Sequence, residues 1–199
     1  MLELPSGNRF LLWIDAVGGF LVCQGDEVVL GQAAPGNEVD VPILGDISRR
    51  HAIIKRRGGE YVIEPLQATF VDGHETCDTT LLSEGDEIRL GERVILKFRK
   101  PHALSASARL DFVSRHRTQP SADAIVLMAE SCVLGPRWKN HIVCQDWQDD
   151  VVLYSQDADL YCRTVREIEV DGKICAGRGK ISRNSRISGA DFSLSLEAF

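Results

Sequence analysis

Residues 48–51 read Ser-Arg-Arg-His and run straight into the apolar Ala52, Ile53 and Ile54. A hydroxyl, two guanidiniums and an imidazole at the mouth of a strand have the chemistry to receive an anion. Ser48 offers its O–H and its own N–H. Arg49 offers a planar fork that matches phosphate or carboxylate, and Arg50 is a second cation beside it. His51, directly before the apolar run, suits a structural role better, locking the adjoining loop by hydrogen bonds. Lys55, Arg56 and Arg57 read as a solvated strand face and turn. No other stretch offers a catalytic set. G-x-S-x-G, H-E-x-x-H and Walker patterns are absent, and the five histidines are scattered. Asp149-Asp150 reads as a solvated turn rather than an acid pair. The six cysteines include no C-x-x-C spacing and mostly sit in apolar runs, as small core residues do. The expectation is a binding protein with no enzymatic activity, no cofactor and no bound metal.

The elements that must hold this cluster are short. Runs such as "RFLLWI", "GFLVC", "EVVLG", "HAIIKR", "EYVIEP", "DEIRL" and "RVILKF" have strand length and are divided by Gly, Asp, Asn and Pro. In "RVILKF", Val94, Leu96 and Phe98 fall on one face. The fold class expected is all-β. Over 199 residues, 44% hydrophobic and 26% charged content accords with a packed globular chain. A net charge of −6 speaks against a general nucleic-acid or membrane binder. The early run "RFLLWIDAVGGFLVC" is broken by Asp15 and Gly18-Gly19 and has no cationic run before it, unlike a signal peptide. No apolar stretch approaches the roughly 20 residues that span a bilayer. A cytoplasmic location with reduced thiols is expected.

A faint repeat divides the chain. "GDEVVLGQ" resembles "AESCVLGP", "FVDGHETC" resembles "EVDGKICA", and "LGERVILKF" resembles "SGADFSLSL". The offset stays near roughly 100 residues throughout, which is stronger than any one match. The reading is two tandem β-sandwiches, at 1–102 and 122–199, joined by a connecting segment at 103–121 that is part strand and part linker. In "ALSASARLDF", Leu104, Ala106, Ala108, Leu110 and Phe112 would share one strand face. "SRHRTQPSAD" reads as the flexible joint.

The run "GDISRRHAII", the preceding "VLGQ", the following "TFVDG" and then "LLSEGDEIRLG" together resemble the forkhead-associated (FHA) domain over about residues 10 to 100. That family's pattern is Gly-Arg after an early strand, Ser-Arg-x-His-Ala, an Asn-Gly-Thr-x-Val-Asn-Gly loop, and Leu-x-x-Gly-Asp-x-Ile-x-Leu-Gly. The resemblance implies FHA/SMAD-like β-sandwiches whose end loops read phosphothreonine in partner proteins. It implies that Ser48 donates to a phosphate oxygen, that Arg49 contacts phosphate or peptide backbone, that His51 props the loops, and that Asp72 stands where the family has Asn. By the repeat, residues 122–199 resemble a degenerate second copy with Pro136 at the Arg position.

Three positions depart from the pattern. Gln32 follows Gly31 where the family has a phosphate-binding Arg, Leu66 replaces a Ser or Thr, and Gln67 replaces the Asn that grips the peptide backbone. Losing a charge-assisted contact to a phosphate costs roughly 1.5–3 kcal/mol. Arg50 could swing in to compensate. The candidate phosphopeptide-binding set is therefore Ser48, Arg49, Arg50, Gln32, Gln67 and Asp72, with His51 as loop support. The partner expected is another protein, threonine-phosphorylated, in signalling. The alternative is a scaffold or assembly protein that keeps the fold and binds without phosphate. The arginines at 163, 166, 178, 183 and 186 read as surface charge, with a docking patch for an acidic partner as the alternative.

Overall fold

The computed structural model describes residues 8–102 and 104–199. Among the described residues the chain forms 23 strands and no α-helix, so no helix is long and apolar enough to cross a membrane. The all-β expectation holds. The first half contains β1 (Arg9–Ile14), β2 (Gly18–Cys23), β3 (Glu27–Gln32), β4 (Val41–Leu44), β5 (Ala52–Arg57) and β6 (Glu60–Pro65). It continues with β7 (Thr69–Val71), β8 (His74–Thr76), β9 (Thr80–Leu82), β10 (Glu87–Leu90) and β11 (Val94–Arg99). Three strands follow in the middle: β12 (Ala108–Phe112), β13 (Arg117–Thr118) and β14 (Ala124–Leu127). The rest comprises β15 (Ser131–Gly135), β16 (Ile142–Val143), β17 (Val151–Gln156), β18 (Asp159–Arg163), β19 (Ile168–Val170), β20 (Lys173–Cys175), β21 (Arg178–Ile181), β22 (Arg186–Ser188) and β23 (Ser193–Glu197).

These strands build three sheets. One has twelve strands in the order β20-β19-β22-β23-β1-β2-β14-β12-β11-β10-β7-β8. A six-stranded sheet runs β13-β4-β3-β5-β6-β9, and a five-stranded sheet runs β16-β15-β17-β18-β21. Strand pairing thus passes across residue 102. Strand β1 pairs with β23 near the chain's end, and β2 lies parallel to β14.

Side-chain alternation explains the arrangement. On β1, Phe10, Leu12 and Ile14 enter one core, and Leu11 enters the other. On β2, Phe20 and Val22 face the first of these, and Leu21 and Cys23 the second. On β14, Ala124 and Val126 oppose Ile125 and Leu127 in the same way. A strand apolar on both faces needs cover on both faces. The six-stranded sheet supplies one cover, through Val28, Leu30, Val41, Ile54 and Ile63. The five-stranded sheet supplies the other, through Leu134, Val151, Leu153, Cys162 and Ile181. The two covering sheets also share a strand order: replacing β4-β3-β5-β6-β9 by β16-β15-β17-β18-β21 reproduces it, including the parallel β3–β4 and β15–β16 pairs.

Val94, Leu96 and Phe98 are fully buried on one face of β11, as their alternation predicts. Leu104 departs from expectation: it is 93% exposed, because β12 begins only at Ala108 and a run of Ala and Ser carries too little apolar weight to extend it. The stretch read as a joint is pinned instead. Arg117 and Thr118 pair with Leu44 and Ile43, and Thr118 and Ala122 are buried. His141 ties the halves together. Its Nδ1 accepts from the Val133 N–H (2.9 Å), its Nε2 meets the Ser105 hydroxyl (3.0 Å), and its carbonyl accepts from Arg109 Nη1 (2.8 Å). Burial, with smaller contributions from His102 and Arg109, pushes its pKa down to about 4.

A fragment of residues 1–102 lacks β12 and β14, so a cooperative, monomeric thermal transition is not expected from it; observing one by calorimetry would contradict this topology. For His141, the unfolded chain binds a proton below its ordinary pKa of 6.5 while the fold resists until about 4. Stability should therefore fall as pH drops through that window, by up to about 3 kcal/mol. Urea unfolding of wild type and His141→Asn at several pH values checks this; parallel pH dependences would refute it.

Candidate functional site

The Ser48–His51 loop is built from glycine outward. A Cβ at Gly31 would sit 1.8 Å from the Arg49 carbonyl oxygen, so only glycine lets the β3 end pass this close. The contact is fixed by Gln32 N–H donating to Ser48 O (3.0 Å) and His51 N–H donating to Leu30 O (2.8 Å). Asn37 adds a clamp, its amide donating to both Gln32 O (2.7 Å) and Arg49 O (2.8 Å).

His51 is 3% exposed and joins three loops. Its Nδ1 accepts the Ser48 N–H (3.2 Å), which leaves Nε2 to donate to Ala68 O (2.9 Å). Its carbonyl accepts from Leu66 N–H and Gln67 N–H, and Ala68 O also accepts from Gly91 N–H, each at 3.0 Å. A neutral imidazole used at both nitrogens is a brace, and the ring lies in the interior rather than at the surface.

With the loops held, Ser48 is half-buried and Arg49 and Arg50 are exposed. Among the described residues neither guanidinium forms an ion pair, and the Ser48 hydroxyl has no hydrogen-bond partner. Gln32 is half-buried and turns its amide to Gly45 O (3.3 Å). Gln67 and Leu66 are exposed on the facing loop. Asp72 is set apart. It lies three residues past Thr69 along β7, roughly 10 Å at strand rise. There it adopts φ +48° and locks the turn, its carboxylate accepting from Glu87 N–H (2.8 Å) and its N–H donating to Glu87 O (2.9 Å). Its carboxylate is committed to the turn.

Two further residues shape the site. Arg89 lies 3.7 Å over the Phe70 ring, its cross-strand partner, and donates to Gly91 O (2.8 Å). Its place on β10, outward and beside the closing glycine, was readable from alternation. Asn37 had no such signal, because its clamp depends on a loop approach that only the fold creates. Arg56, read as solvated, is anchored to Asp26, its Nε and Nη2 both donating to the one Oδ1.

The corresponding end of the C-terminal sheets is neutralised. Arg137 pairs with Asp150 (3.5 Å), Arg166 with Asp149 (2.8 Å), and Asn140 donates to Asp150 (2.8 Å). Asp149 and Asp150, read as a solvated turn, thus hold arginines. Four thiols are suppressed as well: burial raises the pKa of Cys23 and pushes Cys132, Cys144 and Cys162 up to about 12. Among the described residues no group of three or more His, Cys, Asp or Glu could hold a metal ion.

Replacing His51 by Ala removes the brace, strands the Ser48 N–H and takes one of two donors from the Ala68 carbonyl. A loss of about 3 kcal/mol in urea-unfolding stability is expected. A change within about 0.5 kcal/mol would show that the ring does not hold the loops.

Residues 28–91 match the family model described as FHA domain. The match covers the β3-to-Gly91 frame, including the Ser48–His51 loop, and does not extend into the C-terminal half. No curated protein matches the chain.

Proposed function

We propose, on the premise that residues 28–91 form an FHA domain, that this chain binds a phosphothreonine-containing segment of a partner protein in signalling. FHA domains are protein-interaction modules that bind phosphopeptides. The observation that carries the reading is the pair of exposed guanidiniums of Arg49 and Arg50, without an ion pair among the described residues, beside the half-buried Ser48. A phosphate of roughly −1.5 to −2 charges is the ligand such donors suit. Ser48 O–H and Arg49 would take its oxygens, and Arg50 would close over it where the family's Arg is replaced by Gln32. Gln67 would meet the peptide backbone. Asp72 would act through the turn. No bond is made or broken in this reading, and no cofactor takes part.

The shared strand order of the two covering sheets supports a two-unit organisation, with residues 122–199 as an FHA-like unit that has lost the phosphate loop. A cytoplasmic site of action accords with six cysteines that are all free.

A second reading has its own support. Gln32 spends its amide on Gly45 O, and the exposed Leu66 puts an apolar side chain on the facing loop. Those features suit a scaffold that binds a partner without phosphate.

Calorimetry against a phosphothreonine peptide and its unphosphorylated twin separates the two. The phosphopeptide is expected to bind more tightly. Arg49→Ala should weaken it at least about tenfold, while Arg56→Ala, held by Asp26, should leave it unchanged. Equal binding of the twins, or an Arg49→Ala variant that binds as well as wild type, would defeat the phosphate-dependent reading.

A further inference from the structure

The outward face of the five-stranded sheet carries an unusual pair of rows. Cross-strand register places Ser131, Tyr154, Tyr161 and Lys180 side by side, and in the next row Val133, Val152, Arg163 and Arg178. Their neighbours Cys132, Leu153 and Cys162 point inward to the core, so these rows face away from it. Tyr154 and Tyr161 stack at 5.5 Å and 22°. The Arg178 guanidinium lies 4.6 Å from the Tyr161 ring and 5.7 Å from Tyr154, and Arg163 lies 5.9 Å from Tyr154. Lys180 is paired with Asp159 (2.7 Å). Arg178 reaches only the neutral Gln156 (3.0 Å), and among the described residues neither arginine forms an ion pair.

Arg163 and Arg178 are direct cross-strand partners. Like charges facing each other across a sheet destabilise it, and the ring contacts of Arg178 and Arg163 return only a little at an exposed site, so stability alone is a weak reason for the pair. The matching face of the six-stranded sheet shows the alternative. There Lys55 on β5 is flanked by Glu64 and Glu27, and the charge is cancelled. On β17 and β18 the same rows hold two tyrosines and a guanidinium; among the described residues no carboxylate pairs with the arginines, and Asp159 on β18 is taken by Lys180.

We propose that this face docks an acidic polypeptide segment of a partner protein. A carboxylate between Arg163 and Arg178 relieves their repulsion, and the stacked tyrosines give the segment a flat apolar bed. The surface is on a different sheet from the Ser48 loop and works independently of it.

The test uses the full chain and a fluorescently labelled, unphosphorylated glutamate-rich peptide at low salt, followed by anisotropy. Binding is expected, weakened about fivefold or more in Arg163→Ala/Arg178→Ala and unchanged in Arg56→Ala, whose charge is already held by Asp26. Because the substitutions remove a repulsion, the double variant should melt at or above the wild-type temperature, and the milder Arg163→Gln should weaken binding in the same direction. Phosphatidylserine vesicles and single-stranded RNA serve as the other arms. No peptide binding, binding untouched by the arginine variants, or arginine-dependent capture of vesicles or RNA in preference to the peptide would overturn the proposal.

Discussion

Three strands that are apolar on both faces govern this molecule. β1, β2 and β14 send alternate side chains into two separate cores. A strand of that kind has no face to give to water, so a sheet must cover each side. The six-stranded and five-stranded sheets do so from opposite directions, and the twelve-stranded sheet between them becomes the shared wall of two sandwiches. Fully burying a Leu or Phe is favourable by about 1.5–3 kcal/mol, and Phe10, Leu11, Leu12 and Leu21 are all at most 2% exposed. The core under the five-stranded sheet needs β1 and β2 from the start of the chain, and the core under the six-stranded sheet needs residues 108–127 from its middle.

The loops inherit their precision from that frame. Because β3 and β5 are fixed against the wall, Gly31 can pass under the Arg49 carbonyl and His51 can reach both Ser48 and Ala68. The loop ends of the two halves then differ in electrostatics. In the C-terminal half, Asp149 and Asp150 hold Arg166 and Arg137. In the N-terminal half, Arg49 and Arg50 stand exposed beside a serine hydroxyl, with no ion pair among the described residues. A similar contrast, with the halves reversed, separates the outward sheet faces. Lys55 is cancelled by Glu27 and Glu64, whereas Arg163 and Arg178 stand over tyrosines.

Much of the strand inventory was legible in the sequence, because alternation and turn residues are local. Val94, Leu96 and Phe98 behave as their spacing implies, and the Ser-Arg-x-His run marked the loop that the FHA family model also spans. The continuous apolar runs "RFLLWI" and "GFLVC" carried the signal of strands buried on both faces. Their partners were not legible. Leu12 pairs with Leu196, and Leu21 with Ile125, and such distant pairing leaves no local trace. Charge pairing was hidden for the same reason: Arg56 finds Asp26, and Arg137 finds Asp150, only once hairpins have closed. Leu104 misled because Ala and Ser alternate without enough apolar area to define a buried face.

The central claim is that a rigid frame presents Ser48 and Arg49 to a phosphorylated threonine. A nitrogen-15 amide NMR titration of the full chain with a phosphothreonine peptide addresses it residue by residue. The account predicts that the Ser48 and Arg49 amides move, together with Gln67 on the facing loop, while Arg137 and Arg166 stay still. Saturable binding that leaves Ser48 and Arg49 unmoved, or the same shifts with the unphosphorylated peptide, would contradict it.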